Sequence, residues 1–475
     1  MVAARNADLE AAIAADPEDE GPYLVYADWL QWRGDPRGEL IVVQHALETA
    51  RGQAWAKLRI RERELLSRYR EALLGPAALH LDSRHFDWRR GFVDRMSAGF
   101  LFDERGQLVV HPSLALVRAM SNVEFRWLRE ASLPLLEELA VSHHSPRAVL
   151  AHTQLRHLAL SRGTYWEREP APRHLPTLET SRLETLAFDT FDGVSHELAE
   201  HRFPKLRLVQ LFHVSDDESA AVAQLLRGNP EARLDLSLSQ LHQHPPNVLL
   251  QDPDVRRQVR GLKLGEPSVA LLRDLRTQLR RLESLELYAI RAWSPELVRE
   301  LPVAPRLQRL VLESQIADPD AVAALATSPY AATLQSLVMP LRDRGAVAAL
   351  SHGVFGAVKK LDINWLGDAL SASEAAILAD AFPAVEMIAI DDFRLRELAD
   401  SPLAPRLRRL RLRGIRGAVR VEPWFLREIE KFRSLETLHL GGQPPTMPAV
   451  FETLGALELQ IELEPNVRHF TEPAD

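Results

Sequence analysis

One arrangement of apolar and polar positions returns along most of the chain: an apolar residue, two polar ones, an apolar, a polar and an apolar. It is clearest at Leu407-Arg-Arg-Leu410-Arg-Leu412, and further copies begin at Leu136, Leu155, Leu183, Leu206, Val259, Leu282, Leu307, Leu334, Val358, Val385, Leu435 and Leu454. Between Leu155 and Leu435 the copies lie 22 to 28 residues apart, once a weak copy at Glu231-Ala-Arg-Leu234-Asp-Leu236 is counted. Side chains alternate across a strand, so Leu410 and Leu412 face a core while Arg409, Arg411 and Arg413 face the other way. The first leucine of each copy folds against the same apolar column as the chain arrives from the preceding segment.

Those preceding segments carry helix signals. Ser215-Asp-Asp-Glu218 and Ser371-Ala-Ser-Glu374 have the form of capping boxes, and Ser294-Pro295 and Asp318-Pro319 place a cap ahead of a proline in the first turn. Prolines 134, 204, 305, 383 and 405 fall just before the next strand phrase, where they stop the helix. Strand, helix and strand joined by short links give parallel neighbours. No single unit closes its own core, so stability comes from stacking. Phrase and period together resemble the leucine-rich repeat. That resemblance implies an α/β leucine-rich-repeat solenoid, with parallel strands on the concave face and helices outside; a small all-α domain is expected ahead of it at the N-terminus. One departure stands out: the family usually carries Asn or Cys eight residues after the first leucine, and here such places hold residues like Gly163, Pro267, Ile290 and Ile415. With no asparagine ladder, regular curvature is not assured and the turns after the strands need other ties. The interval around Leu241-His-Gln-His-Pro-Pro is where a break in the array is expected.

Residues 1 to about 50 do not repeat and predict three short helices: Asp8 to Ala15, a second with Pro22 in its first turn running to Gly34, and a third opened by Asp35-Pro36. The stretch DPEDEGPYLVYADWLQWRGDPRGELIVVQ, and its YADWL and GDPRGEL phrases above all, is similar to the bacterial repeat-companion domain, a short module found ahead of repeat arrays. The resemblance covers about 40 residues and implies no activity. Structural roles account for most of the matching positions: Trp29 and Leu30 in a core, Gly34 and Pro36 in turns, Asp35 as a cap, and Asp28 with Arg37 as an ion pair. Gln53 to Leu74 predicts a charged connecting helix, Trp88 to Met96 a first strand and Leu114 to Ala119 a second. Residues 1–80 are thus read as head and connector, and residues 81–475 as the solenoid with irregular caps.

Net charge is −8 and only six of the 58 basic residues are lysine. This balance disfavours general nucleic-acid binding, which clustered cations drive. The absence of cysteine rules out disulfides, thiolate metal sites and cysteine nucleophiles. With no secretory apolar region at the start and no membrane-length apolar run, a cytoplasmic bacterial protein is expected. His196-Glu197-Leu-Ala-Glu200-His201 fails as a zinc protease motif because its histidines lie five apart, where the chemistry needs four. His143, His144, His152 and His157 are read as solvated polar residues. No phosphate loop, nucleophile elbow or dinucleotide fingerprint is present, so no cofactor is expected.

What remains is the set of outward strand positions. They hold Lys263, Glu286, Tyr288, Glu313, Lys360, Asp362, Asn364, Asp391, Arg409, Arg411, Arg413 and His439. The spacing predicts an acidic line through Glu286, Glu313, Asp362 and Asp391, with a basic strand at Arg409, Arg411 and Arg413 beside it. The functional expectation is a non-enzymatic scaffold that binds a protein partner on this face, with no membrane and no small-molecule substrate. The alternative is an anion or nucleic-acid contact through the three arginines.

Overall fold

A computed structural model describes residues 4–75, 78, 85–97, 111–123, 133–142, 155–161, 182–188, 198–199, 201–212, 216–238, 248–290, 293–314, 318–341, 344–365, 371–391, 394–413, 423–441 and 448–463. The chain divides into two compact units, one built on residues up to Arg207 and the other on Leu208–Glu464.

The first unit opens with five helices: α1 Ala7–Ala15, α2 Glu20–Trp32, α3 Arg37–Thr49, α4 Gly52–Arg68 and α5 Arg70–Leu74. Local chemistry sets their ends. Asn6 caps α1 by accepting from the Asp8 and Leu9 amides, and Asp19 caps α2 through the Gly21 amide. Gly34 ends α2 at φ 71°, a left-handed position that glycine takes without strain. The single connecting helix expected over residues 53–74 is interrupted at Tyr69, where the backbone leaves helical geometry. At Gly38 a β-carbon would lie 2.6 Å from the Ala27 carbonyl oxygen, so the glycine of GDPRGEL lets α2 and α3 touch backbone to backbone.

Three expectations for this region change. Trp88 to Met96 is not one strand but a hairpin, β1 Phe86–Arg89 and β2 Phe92–Ser97, turning at Arg90 and Gly91 with φ 47° and 77°. Positive φ at both turn residues matches the twist of the flanking strands. Leu114 to Ala119 is not a strand: Pro112–Leu114 forms a 3-10 turn capped by His111, and the strand, β3, covers Ala119–Val123. Arg37 pairs with Asp35 at 2.7 Å rather than with Asp28, because Asp28 lies on the solvent side of α2. Leu30 is core as expected, while Trp29 is partly buried. The core of the head is completed from beyond the helices, since Ile13, Tyr23, Tyr26, Ala27, Leu30 and Ile41 pack with Phe92, Leu116 and Leu135.

Repeats follow. In the first unit β3, β4 Glu138–Ser142, β5 His157–Ser161 and β6 Thr185–Phe188 continue parallel from β2. The second unit holds β7 Leu208–Leu211, β8 Arg233–Leu238, β9 Val259–Gly265, β10 Ser284–Ile290, β11 Arg309–Ser314, β12 Ser336–Leu341, β13 Lys360–Trp365, β14 Met387–Asp391, β15 Arg409–Arg413, β16 Thr437–Gly441 and β17 Gln460–Leu463. Each of these is parallel to the next. The weak copy at Glu231 is therefore a full member of the array, as β8. The copy at Leu454 is displaced, because Leu454 ends a helix and the closing strand starts at Gln460.

Inward leucines stack as the alternation requires: Leu285, Leu310, Leu337, Leu361, Ile388, Leu410 and Leu438 occupy one register row, all buried. A backbone ladder accompanies them. The Glu283 carbonyl accepts from the amides of Gln308 at 2.9 Å and Arg309 at 3.0 Å, and the carbonyls of Gln308, Gln335, Lys359, Glu386 and Arg408 each take the next pair of amides in the same way. Arg118, Glu137 and Arg156 do so in the first unit. Both lone pairs of one carbonyl per repeat are thus used at the strand entrance, without any asparagine. Ser294, Asp318 and Ser371 cap helices as expected, the last in a full capping box with Glu374. The box at Ser215, the Leu241–Pro246 interval and the residues after Pro465 lie outside the described residues, as do most positions of the missing asparagine ladder.

Candidate functional site

Strand register places the outward residues of the second unit in three rows. The first runs Ser284, Arg309, Ser336, Lys360, Met387, Arg409, Thr437, and the second Lys263, Glu286, Val311, Val338, Asp362, Ala389, Arg411, His439. In the third, Tyr288 pairs with Gly265, Asn364 with Pro340, and Asp391 with Arg413. Glu313 falls where the register between β10 and β11 shifts. The side chain of Asn364 lies outside the described residues.

The acidic line does not form. Glu286 and Asp362 share a row but Val311 and Val338 separate them, and Asp391 sits two residues further along its strand. Nor are these carboxylates free. Glu286 lies between Lys263 at 3.3 Å and Arg309 at 3.4 Å, and the Lys263 ammonium also stands 5.1 Å from the centre of the Tyr288 ring. Arg413 donates to Asp362 at 2.7 Å and to the Ile363 carbonyl at 2.8 Å, and lies 3.4 Å from Asp391. It reaches diagonally past β14, where Ala389 leaves room. Burial nevertheless pushes the Asp362 carboxyl up, outweighing Arg413 and Arg411. His439 stands 3.5 Å from Glu462.

Cation and anion balance differs along the face. Over β9 to β11, Lys263 and Arg309 match Glu286 and Glu313. Over β13 to β15, Lys360, Arg409, Arg411 and Arg413 outnumber Asp362 and Asp391 two to one. Arg413 serves both carboxylates. Among the described residues Lys360, Arg409 and Glu313 are exposed and make no ion pair.

One group on this face escaped the sequence reading. Asp235 stands between Gln210 and Gly261 in the register, and a β-carbon on Gly261 would lie 2.7 Å from its Cγ. Burial raises its carboxyl to about 6, although it accepts from the Gly261 amide. Beside it the buried Oε1 of Gln210 has no hydrogen-bond partner among the described residues. The signal was available in Gly261 and Gly265: two glycines at outward positions leave space that Asp235 and Tyr288 fill from adjacent strands. Because the folded value lies above the unfolded 3.8, Asp235 stabilises below that value and ceases to as pH rises through about 6. Asp235→Asn is expected to raise stability at pH 7 by roughly 2 kcal/mol and to flatten the loss between pH 4 and 7. Its amide can still accept from Gly261 and can donate toward Gln210. Urea titration at both pH values checks this; a variant no more stable than the parent at pH 7 refutes it.

Elsewhere, Glu20, His45 and Glu48 bring ligand atoms within 4.8 Å of one another. Two oxygens of Glu48 already accept from Arg90 at 2.7 and 3.0 Å, which makes the group an ion-pair network tying α3 to the hairpin. His157 is held toward its neutral form by burial, while His143, His144, His152, His196 and Glu197 lie outside the described residues. Among the described residues no helix is long and apolar enough to cross a membrane.

No protein-family model matches the chain, and neither does any curated protein. Among solved structures, a crystal structure of an internalin (InlF) from Listeria monocytogenes is similar to 75% of this chain and 89% of its own, at 15% identity and a TM-score of 0.30. The leucine-rich-repeat winding rests on the strand register of the chain itself.

Proposed function

We propose that the chain is a non-enzymatic scaffold that holds a protein partner on the strand face of its second unit. The observation that carries this is the uneven charge of that face. The carboxylates over β13 to β15 are engaged by Arg413, and among the described residues Lys360 and Arg409 are exposed and make no ion pair, so the partner should bring carboxylates. Three or four local cations on a chain of charge −8 are few for a phosphate backbone, which favours an acidic protein over nucleic acid. The wider contact surface would take in Lys263, Tyr288, Glu313, Arg411 and His439.

Substituting Glu286 or Asp362 would break the protein's own pairs, so the cleaner test removes Lys360 and Arg409. Capture from an extract of the native cell by full-length protein is expected to fall at least about tenfold with Lys360→Ser and Arg409→Ser together, a loss of about 1.4 kcal/mol, with folding unchanged by circular dichroism. Undiminished capture rejects the face. Loss of the captured material on nuclease treatment would favour the nucleic-acid alternative.

A further inference from the structure

The head carries a second surface of different chemistry. At about 100° per residue, Gly21, Leu24, Val25, Asp28 and Trp32 share one side of α2, opposite Tyr23, Tyr26, Ala27 and Leu30, which face the core. Three of those five outward residues are large and apolar: Leu24 is 37% exposed, Val25 56% and Trp32 82%. Val42 on α3, 41% exposed, extends the patch. Two cross-helix contacts bracket its position, Gly38 against Ala27 and Gln31 on one side and His45 3.7 Å from Glu20 on the other, so Val42 stands alongside Leu24. Four of the seven exposed large hydrophobic residues among the described residues lie here, within 19 residues of sequence. Clustering of this kind marks a contact surface, whereas scattered exposed apolar residues do not. At the far end the Arg33 guanidinium covers the Trp29 ring at 4.2 Å and reaches the edge of the patch at Trp32, 5.7 Å away.

Arg33 at its end apart, the helix segment that carries the patch is acidic. Residues 16–32 hold five carboxylates, Asp16, Glu18, Asp19, Glu20 and Asp28, and no Lys, Arg or His. Glu18 and Glu20 are partly matched by Arg89, Arg118, His45 and Arg90. Asp28, in the middle of the apolar side, has no ion pair among the described residues. We propose that this face of α2, with Val42, docks a basic amphipathic helix of a partner protein, whose apolar side covers Leu24, Val25 and Trp32 while a cation meets Asp28. A second copy would set the same carboxylates against each other across a two-fold interface, and an anionic lipid surface would be repelled in the same way.

The test uses the full-length chain and a fluorescein-labelled helical peptide of about 18 residues, long enough to form a helix, with leucines on one side and lysines on the other. A copy with glutamates for the lysines serves as control. Fluorescence anisotropy is expected to show binding of the Leu/Lys peptide, weakened about tenfold or more by Trp32→Ala and by Asp28→Lys. The Leu/Glu peptide should bind at least about tenfold more weakly. Lys360→Ser with Arg409→Ser should leave the affinity unchanged, which separates this surface from the strand face. Equal affinity for Trp32→Ala and the parent, or equal binding of both peptides, overturns the proposal. So does concentration-dependent self-association in sedimentation that Trp32→Ala abolishes without peptide.

Discussion

Asp35→Ala is expected to cost about 3–5 kcal/mol, enough to unfold the helical head. Arg37 is fully buried and its charge is met by both oxygens of Asp35. Its Nη2 donates to the Ala4 carbonyl as well as to Asp35, while its Nη1 has no hydrogen-bond partner among the described residues. Removing the carboxylate strands a cation in the core. Asp35 also accepts from the Arg37 and Ala4 amides, so Asp35→Asn, which keeps an acceptor but not the charge, should fall between. Asp28→Ala, at the partner expected from sequence, should change stability by no more than about 0.5 kcal/mol. Chemical denaturation of the three variants checks the order, and a mild Asp35→Ala would show that Arg37 does not depend on it. Acid probes the same network. Burial alone would raise the Asp35 carboxyl, but the hydrogen bonds and charge of Arg37 outweigh it and hold the group below its ordinary 3.8. Its contribution is present above that unfolded value and disappears as pH falls through the lower folded one. Burial and the Arg37 charge hold His111 at about 4 instead of 6.5. The head should therefore weaken first between about pH 6.5 and 4, as the unfolded state gains a proton on His111 that the fold resists, and again below 3.8.

Gly353→Ala should cost about 3 kcal/mol, at the upper end of overpacking. A β-carbon there would fall inside contact with the Ala326 carbonyl oxygen and 2.6 Å from its carbon, at the end of the helix Pro319–Ala326. Backbone, unlike the far end of a flexible side chain, cannot step aside without moving the helix. Three residues on, a β-carbon at Gly356 meets nothing within 4 Å, so Gly356→Ala should be neutral or stabilising by about 0.5 kcal/mol. Urea titration of the pair provides an internal comparison; similar stabilities would mean that the repeats slide past each other freely.

The repeat was legible because alternation is local: each phrase, down to the weak copy at Glu231, announces its own strand, and Ser294, Asp318 and Ser371 announce their helices. The hairpin at Arg90 was missed because arginine rarely adopts positive φ, so Arg-Arg-Gly-Phe did not read as a turn. The charge pattern was lost for another reason. Arg413 and Asp362 are 51 residues apart in sequence and meet only because Ala389, in the strand between them, has almost no side chain. Side-chain reach across an intervening strand is absent from a one-dimensional list of outward positions, so carboxylates and an arginine assigned to separate stripes meet as ion pairs in space. Arg37 shows the same limit at short range, since turn geometry after Gly34 brings it to Asp35 rather than to Asp28.

Phe92, Leu116 and Leu135 close the core beneath α1, α2 and α3. A chain trimmed of its first 80 residues would consequently expose a raw apolar stump, apt to clump or to cling to bystander proteins. Comparing such a truncation with the intact molecule would confuse damaged solubility with lost recognition, so the roles of the two surfaces are better separated by single exchanges at Trp32 or Arg409.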